Sequence, residues 1–329
     1  MPSLKTEITE LSTGLGALGY DLGFGLQRPP SQFVNVQPIT WERLRDAHER
    51  GEHHQLFITA WQNGHALLLA ADGLRGRIPI RVEWKGPDRQ VEQDPIPADL
   101  RIDNVFLVSI KSRSAVLWNR SPSQVFLRQA QREHWYLETA LEEYEALYSA
   151  ARTLGNLSEL PTSAADLTRP QGALIANRFP GRQWPEPLDD LYRQMSQRCA
   201  VRSADIWNMT ASSSSQRERM SWWLLRLASA PYFLLGDSAA APLRIRVDTP
   251  WDWRQNWEFL ALDIAPALDA GQPQVDWMIH CRHRASGEVR ETSGYVEIRW
   301  SHGRFSGNPE AKVQLRTPHE IVPGYTALI

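Results

Sequence analysis

Two short groups of polar residues in the first half of the chain have the types and spacing of a metal-dependent hydrolytic site. Glu83 and Lys85 are separated by one residue. Ser109 and Lys111 repeat that spacing, and Asp103 lies between the two pairs. Carboxylates are oxygen ligands suited to Mg²⁺ or Mn²⁺, and a bound divalent cation lowers the pKa of its water. With an ammonium group beside that water, these residues predict phosphate-ester hydrolysis with Mg²⁺ or Mn²⁺ as the cofactor.

The elements around these residues are predicted to be strands. In 78–85, apolar and polar side chains alternate, so the first pair shares one face. The run 102–110 is apolar on both faces, as is typical of a central strand. The second pair lies at the end of this run, on the same face as Asp103. If the strands are antiparallel neighbours in matching register, Glu83 and Asp103 hold the metal and Lys111 positions the attacking water.

Turn and cap signals frame the two strands. Asn63-Gly64 predicts the turn of a β-hairpin. Its strands would cover 55–62 and 65–71. After the second polar pair, Ser121 begins a capping box ahead of a long run of helical periodicity. The predicted order is therefore strands followed by a long helix that packs on the sheet.

This order resembles the PD-(D/E)xK nuclease superfamily, which has the restriction-endonuclease-like fold. In that superfamily a helix precedes three strands, an acid lies on the second strand and an acid-x-lysine triplet lies on the third. A crossover helix follows. The resemblance covers residues 40–149 and rests on short motifs. It implies a Mg²⁺-dependent DNA endonuclease, such as a restriction or phage-defence component with antiviral activity.

The motif can be placed in two ways. In the first, Asp72 is the leading acid and 83–85 is the triplet, ending in Lys85; the letters match, but another strand follows. In the second, Glu83 or Asp103 leads and 109–111 is the triplet, directly ahead of the capped helix. Serine then replaces the usual acid. We favour the second placement because topology is harder to satisfy by chance than a short pattern.

A plainer interpretation is that these residues form a solvated strand surface with cross-strand ion pairs. The chain would then be a catalytically inactive nuclease-like scaffold, or an interaction subunit of a larger defence or DNA-processing complex. The serine at position 109 favours this alternative. So does the formal net charge of −2, because nonspecific nucleic-acid binding usually leaves a globally basic surface. An active nuclease would have to confine its basic residues to one cleft.

Composition and loop signals predict two domains of mixed α+β class. The segment 155–187 is rich in proline and has little periodicity, so it is interpreted as a linker. It separates a nuclease-like α/β domain, 1–154, from a helical and β-rich domain, 188–329. We expect a central mixed sheet with flanking helices in the first, and helices with antiparallel strands in the second.

Substrate contacts are predicted in the C-terminal half. Arg254 lies beside tryptophans, and His302 and Arg304 lie beside glycines in a segment suited to contact phosphates. The chain has 14 Trp, which predicts either a Trp-rich core or a surface on which bases stack. DNA is the expected partner, and proteins of a multi-subunit system are a second expectation. The oligomeric state and the choice between DNA and RNA stay open.

Targeting and cysteine signals predict a cytoplasmic protein. The N-terminus lacks a basic region followed by an apolar one, so we expect no signal peptide. No apolar run approaches the roughly 18 residues that span a bilayer, so no membrane partner is expected. The two cysteines, Cys199 and Cys281, have no CxxC spacing and suit free, buried thiols.

Overall fold

The computed structural model forms two compact units, each assembled from separate stretches of sequence. It describes residues 3–86, 96, 98–112, 115–128, 134–181, 183–237, 242–301 and 303–329. Unit 1 comprises Met1–Ser114, Leu227–Trp257 and Pro318–Ile329, and unit 2 comprises Ala115–Arg226 and Glu258–Thr317. The class is mixed α+β, as predicted, with a seven-stranded mixed sheet in unit 1 and a five-stranded antiparallel sheet in unit 2.

The elements are numbered in chain order. The helices are α1 (Leu4–Ala17), α2 (Leu22–Gln27), α3 (Pro38–Glu49), α4 (His54–Leu69), α5 (Pro122–Phe126), α6 (Trp135–Thr139), α7 (Leu141–Leu154), α8 (Arg169–Arg178), α9 (Leu188–Thr210), α10 (Ser214–Leu224) and α11 (Pro250–Asn256). The strands are β1 (Phe33–Val34), β2 (Val82–Trp84), β3 (Leu100–Ile102), β4 (Phe106–Ser112), β5 (Val116–Arg120), β6 (Tyr232–Asp237), β7 (Pro242–Val247), β8 (Trp257–Pro266), β9 (Gln274–His283), β10 (Val289–Arg299), β11 (Glu310–Leu315) and β12 (Tyr325–Ala327). Short 3₁₀ helices cover Ala164–Asp166 and His319–Ile321.

The sheet of unit 1 is built around an antiparallel meander of β2, β3 and β4. β1 pairs in parallel with β2, and β6 pairs in parallel with β4. β7 and then β12 continue the sheet with antiparallel pairing. One face packs against α1 and α4, and its core side chains include Val82, Leu100, Val108 and Leu235. Burying this face against helices is what stabilises the layer.

The hairpin predicted at Asn63-Gly64 is wrong, because this segment lies inside α4. Its buried positions follow helical spacing: Phe57, Ala60, Asn63, Gly64, Leu67 and Leu68. A Cβ on Gly64 would lie 1.8 Å from the carbonyl oxygen of Thr13 on α1. The glycine therefore allows close contact between two helices, and this tertiary contact overrides its local preference for a turn.

Both predicted strands of the polar site are shorter than the sequence patterns indicate. Only Val82–Trp84 of 78–85 forms a strand, and the isoleucines before it are exposed. The run 102–110 is interrupted by Asp103 and Asn104, whose φ values are 49° and 60°. Aspartate and asparagine tolerate this left-handed conformation better than most residues. The run therefore turns back on itself and forms two strands, β3 and β4.

The long helix predicted after Ser121 is divided into shorter helices. The capping box itself is confirmed, with Gln124 N–H donating to Ser121 Oγ at 3.4 Å. α5 nevertheless ends at Phe126, and residues 129–133 lie outside the described part of the chain. Ala140, between α6 and α7, has φ −152°, which is not helical. Apolar spacing alone therefore overestimated the length of this helix.

The compact units differ from the predicted domains. Residues 155–187 contain α8 and a 3₁₀ helix, and they belong to unit 2. Unit 1 takes β6, β7 and β12 from the second half of the chain because these strands complete its sheet beside β4. Pairing between strands so distant in sequence leaves no mark on local composition, so the predicted boundary could not anticipate it.

Unit 2 has its own antiparallel sheet in the order β5-β11-β10-β9-β8. Its core contains fully buried tryptophans, namely Trp135, Trp207 and Trp277. Trp135 Nε1 donates to Ser203 Oγ at 2.9 Å, and Trp207 Nε1 donates to the Val125 carbonyl at 3.0 Å. Much of the high tryptophan content is therefore core, and the indole N–H groups of Trp135 and Trp207 are satisfied by nearby oxygens. Within the residues described, no helix combines the length and apolarity needed to cross a membrane.

Candidate functional site

Ser109 and Lys111 alternate with Val108 along β4, whose Val108 face packs in the core with α1 and α4. Val108 belongs to the core under α1 and α4. Because side chains alternate along a strand, Ser109 and Lys111 share the opposite face. Ser109 is 1% exposed, whereas Lys111 is half-buried. Among the described residues, no group hydrogen-bonds to Ser109 Oγ, so a buried polar atom faces this site without a visible partner.

Asp99 is the acid that the structure brings to this pair. It directly precedes β3 and is 4% exposed. Its backbone N–H donates to the Val108 carbonyl at 2.7 Å. Its Oδ2 accepts from the Ile110 N–H at 2.5 Å. The carboxylate of Asp99 is thereby held against the segment 109–111, next to the strand face that carries the lysine.

Sequence reasoning missed Asp99 because it follows a loop rich in proline and aspartate. The strand was expected to begin at residue 102, whereas it begins at Leu100. With that start, Asp99 stands at the beginning of a strand. A proline two residues earlier, Pro97, and the interval to Ser109 were the available signals. These signals do not identify Asp99 without the strand register.

The end of β4 is held by its parallel neighbour β6. Lys111 pairs with Gly236, and a Cβ on that glycine would lie 1.8 Å from the Lys111 carbonyl oxygen. On the helical side, Asn63 Nδ2 donates to the Gly236 carbonyl at 2.7 Å. Arg244 Nε in turn donates to Asn63 Oδ1 at 2.9 Å. A glycine and a buried amide therefore determine how closely β6 approaches the lysine.

Glu83 is held in an ion pair. It lies on β2 opposite Arg101 of β3 and is 7% exposed. Arg101 Nε donates to Glu83 Oε2 at 2.6 Å, and Asn35 Nδ2 donates to Oε1 at 3.2 Å. Both carboxylate oxygens are thus occupied and the charge is neutralised. This environment suits a structural cross-strand pair better than the metal ligand that the sequence predicted.

Asp103 lies at the turn between β3 and β4, away from Lys111. Arg77 Nη1 donates to its Oδ2 at 2.6 Å, and the N–H groups of Ile80 and Arg81 donate to Oδ1 at 2.8 and 2.9 Å. Partial burial alone would raise the pKa of Asp103, but the hydrogen bonds from Arg81, Arg77 and Ile80 lower it overall. The carboxylate stabilises the segment that leads into β2.

The predicted metal pair and the lysine are therefore not brought together. Asp103 precedes β4, which begins at Phe106. The five steps from Phe106 to Lys111 span about 16 Å at roughly 3.3 Å per residue. Asp103 thus lies at the turn of the β3–β4 hairpin, and Lys111 lies at the opposite end of that hairpin. Asp99, at the near end, replaces it in the candidate site.

The alternative placement of the motif, with Asp72 and Lys85, is not favoured by the topology. Asp72 lies in the turn after α4, and Lys85 follows β2, which is the first strand of the meander. The superfamily pattern needs the acid on the second strand and the lysine on the third. Lys85 does lie beside Asp99, to whose carbonyl oxygen its backbone N–H donates at 3.0 Å. The two residues do not form the expected acid–lysine arrangement.

His319 is a further titratable group near Lys111 that sequence reasoning did not identify. Burial lowers the pKa of His319; the negative charge of Glu320 raises it, and the positive charge of Lys111 lowers it. The net effect is a lowered pKa, so the imidazole is neutral at pH 7. Its ring stacks on Tyr325, with the centroids 6.1 Å apart. The surroundings of Lys111 thus include one neutral imidazole as well as a carboxylate.

Two oxygen groups beside Lys111 are candidates to hold a divalent cation. No cluster of three or more His, Cys, Asp or Glu side chains able to hold a metal occurs in the described ranges. Mg²⁺ does not require such a cluster, because it commonly binds one or two carboxylates, several waters and substrate phosphates. Asp99 supplies one carboxylate, and the Ser109 hydroxyl is a buried oxygen without a visible partner.

A second polar feature, in unit 2, is a stack of two tryptophans and several arginines, here called the Trp118–Trp223 stack. The two indoles are parallel within 9°, with centroids 5.5 Å apart. Arg120 Cζ and Arg226 Cζ each lie 4.4 Å from the Trp118 ring. Arg128 lies 5.9 Å from the Trp223 ring. The pKa of Arg128 is lowered by burial and then by the like charge of Arg219.

The predicted substrate-binding residues lie in different places. Arg254 is on α11 in unit 1 and is exposed. Arg304 belongs to unit 2, where it lines a cavity with Trp184. His302 lies outside the described residues. Arg254 and Arg304 therefore belong to different compact units.

Comparisons with known proteins found no family model, curated protein or solved structure that matches this chain.

Proposed function

We propose that this chain is a Mg²⁺- or Mn²⁺-dependent endonuclease that hydrolyses phosphodiester bonds in DNA, with Asp99, Ser109 and Lys111 as its site. The observation that carries the proposal is the contact of Asp99 with the segment 109–111. It joins an acid at the start of one strand to a lysine at the end of the next. This is the relationship that the PD-(D/E)xK pattern requires.

The order of elements supports the same proposal. α4 precedes β2, β3 and β4; the acid directly precedes the second of these strands, and the lysine lies on the third. β4 then pairs in parallel with β6, after a connection that contains several helices. Parallel neighbours require such a crossover connection. This order of strands and the crossover connection support the proposal.

Each residue of the site has a specific chemical role in this proposal. Asp99, with the Ser109 hydroxyl, would hold the divalent cation. When bound, that cation supplies an acidified water and offsets negative charge on the phosphate. Lys111 holds the attacking water or a phosphate oxygen through its ammonium group. Because a neutral serine replaces a carboxylate, we expect weak cation affinity and cleavage that requires substrate to complete the metal site.

The Trp118–Trp223 stack supports nucleic acid as the substrate class. Aromatic rings flanked by arginines bind bases by stacking and phosphates by charge. The stack brings three arginines together in a chain whose net charge is −2. This local concentration is what an enzyme with a near-neutral surface would need to bind DNA.

The direct experiment compares Lys111→Ala with Lys85→Ala. Both lysines follow or end a strand of the meander, but only Lys111 shares a strand face with Ser109. With Mg²⁺ or Mn²⁺ and circular and linear DNA, Lys111→Ala should reduce cleavage at least ~100-fold. Lys85→Ala should cleave as well as the wild type. Unchanged cleavage by Lys111→Ala, with circular dichroism showing a native fold, would exclude this site.

The second candidate function is an inactive nuclease-like scaffold within a larger defence or DNA-processing complex. Ser109 at the acid position is the observation that favours it. Calorimetric titration with Mn²⁺, in the presence of uncleavable DNA, separates the two functions. An enzyme should bind Mn²⁺ saturably, and Asp99→Asn should abolish that binding. A scaffold should bind no Mn²⁺ in either form.

We also propose a cytoplasmic restriction or phage-defence role, acting alone or with partner proteins. Cys199 and Cys281 are free and buried, which suits a reducing compartment. Expression of the chain in bacteria challenged with phage, alongside the Lys111→Ala variant, tests this role. Protection that depends on Lys111 is the expected result, and equal plating with and without the chain would contradict it.

A further inference from the structure

Unit 2 contains an open cavity of about 800 Å³. Neither of the two placements of the acid and lysine motif includes residues of this cavity. Its volume is within the range of roughly 300–1,000 Å³ that small-molecule sites occupy. The described residues that line it include Trp184, Tyr192, Glu297, Trp300, Arg304 and Lys312. Aromatic rings and cations are both prominent in this set.

The aromatic part of the cavity is centred on Trp300. The rings of Trp300 and Tyr192 are stacked within 26°, with centroids 6.0 Å apart. Trp300 Nε1 is buried, and no hydrogen-bond partner for it lies among the described residues. Burial raises the pKa of Tyr192 to about 12, so its hydroxyl keeps its proton at pH 7. The wall therefore offers flat aromatic rings.

The cationic part is formed by Arg304 and Lys312. Arg304 Cζ lies 3.7 Å from the centroid of the Trp184 ring, and its Nη1 donates to the Phe179 carbonyl at 3.1 Å. These two contacts fix the guanidinium at the rim. The neighbouring acid, Asp189, is bound by Arg193 at 2.9 Å. A guanidinium fixed in this way is suited to an anionic group such as phosphate.

The one carboxylate among the described lining residues is already neutralised. Glu297 is 5% exposed, pairs with Arg299 at 2.8 Å and accepts from Gln314 Nε2 at 2.5 Å. Lys312 lies directly opposite Glu297 in the β10–β11 ladder. With the Glu297–Arg299 pair neutral, Arg304 and Lys312 leave the described lining with an excess of positive charge.

We infer that this cavity binds a single nucleotide, with its base against Trp300 and Tyr192 and its phosphate at Arg304 and Lys312. A flat aromatic wall beside fixed cations matches a ligand that is aromatic at one end and anionic at the other. The nucleotide is either free or everted from a DNA strand, since both present the same base and phosphate. The inference depends on unit 2 alone and does not require that the chain be a nuclease.

The test is calorimetric titration of the full chain with each of the four deoxynucleoside monophosphates and, separately, with a single-stranded DNA 12-mer. EDTA is present throughout, so that cleavage does not interfere. Saturable binding of a monophosphate indicates a free nucleotide as the ligand. Binding of the 12-mer alone indicates a nucleotide within a strand. Failure of both ligands to bind overturns the inference.

Variants assign the binding to this cavity. Arg304→Ala should weaken nucleotide binding at least ~10-fold, as expected for the loss of a charge-assisted hydrogen bond. Because Arg304 packs on Trp184 and its loss could disturb the fold, Lys312→Ala provides a second test at a half-buried position. Arg282→Ala, which removes an exposed cation paired with Glu258, is the control. Binding unaffected by both Arg304→Ala and Lys312→Ala would place the ligand elsewhere and contradict the inference.

Discussion

Asp99 Oδ2 accepts a hydrogen bond from the backbone N–H of Ile110, at 2.5 Å. This contact places the acid beside the two residues that flank Ile110, namely Ser109 and Lys111. The bond also satisfies the Ile110 N–H, a backbone donor at the end of the β3–β4 pairing. The same carboxylate thus has a structural role and a proposed catalytic one, and experiments must separate these roles.

Asp99→Asn separates them because an amide keeps the acceptor oxygen but removes the charge. We expect cleavage of DNA to be lost with Mg²⁺, while the free energy of unfolding changes by about 1 kcal/mol or less. Cleavage assays and urea denaturation of the same preparations measure the two effects. Asp103→Asn is the matched control, because Asp103 lies at the other end of the hairpin. Retained cleavage by Asp99→Asn would remove Asp99 from the site.

The stability of the fold should depend on pH through Asp103. Its hydrogen bonds from Arg81, Arg77 and Ile80 outweigh partial burial and lower its pKa in the folded state. A carboxyl group with a lowered folded-state pKa stabilises the fold above its unfolded value of 3.8, and this contribution disappears as pH falls through the folded value. Urea denaturation at pH 7 and pH 3 should therefore show a larger difference for the wild type than for Asp103→Asn. Identical differences would contradict this role.

His319 should make stability depend on pH in a higher window. Burial is the main reason that its pKa is lowered from 6.5. The unfolded chain consequently binds a proton more readily, so stability falls as pH decreases below about 6.5. His319→Gln should reduce this decrease between pH 7 and pH 5.5, as measured by thermal denaturation. His134 is also buried with a lowered pKa, so a remaining pH dependence is expected in the variant.

Gly64→Ala tests the contact between α1 and α4. The added Cβ would lie 1.8 Å from the Thr13 carbonyl oxygen, so the helices must separate. We expect a loss of about 1–3 kcal/mol in the free energy of unfolding, measured by urea denaturation. Gly23→Ala on α2 is the control, because its Cβ would meet its nearest neighbour, an oxygen of Asp21, at 3.6 Å. Were Gly64→Ala as stable as Gly23→Ala, the close helix contact would be refuted.

Arg128→Ala tests whether the Trp118–Trp223 stack binds DNA. If Arg128 contacts one phosphate, its removal should weaken binding to all sequences and reduce the slope of log affinity against log salt by about 1. Fluorescence anisotropy with labelled DNA at several salt concentrations measures both quantities. Arg290→Ala, which removes an arginine paired with Glu288 in unit 2, should change neither. An unchanged slope for Arg128→Ala would leave the stack without a role in DNA binding.

The amino-acid sequence by itself determined the mixed α+β class and the position of the lysine. Lys111 was identified because an apolar run ending in Ser109 and Lys111 is typical of a central strand, and β4 does lie inside the sheet. The Ser121 capping box was also predicted correctly, since a cap depends on residues three apart in sequence. These features are local, so the printed residues suffice to infer them.

Only the tertiary structure decided which acid accompanies that lysine. Glu83 and Asp103 satisfied the expected pattern, but arginines distant in sequence, Arg101 and Arg77, hold them elsewhere. Asp99 reaches the site because β3 begins at Leu100 and turns back at residues 103–105. Strand register depends on pairing between segments and on backbone conformation at single residues, and a shift of one residue moves every side chain to the other face.

Dependence on contacts between distant segments also explains why 55–71 was wrongly predicted to be two strands. It explains as well why the predicted domain boundary differs from the compact units. Asn63-Gly64 has the local preferences of a turn, yet close packing against Thr13 makes it part of a helix. β6 joins the first sheet because its pairing with β4 buries Phe233 and Leu235 in that core. The free energy of such burial comes from contacts between residues far apart in the chain, which local propensity does not encode.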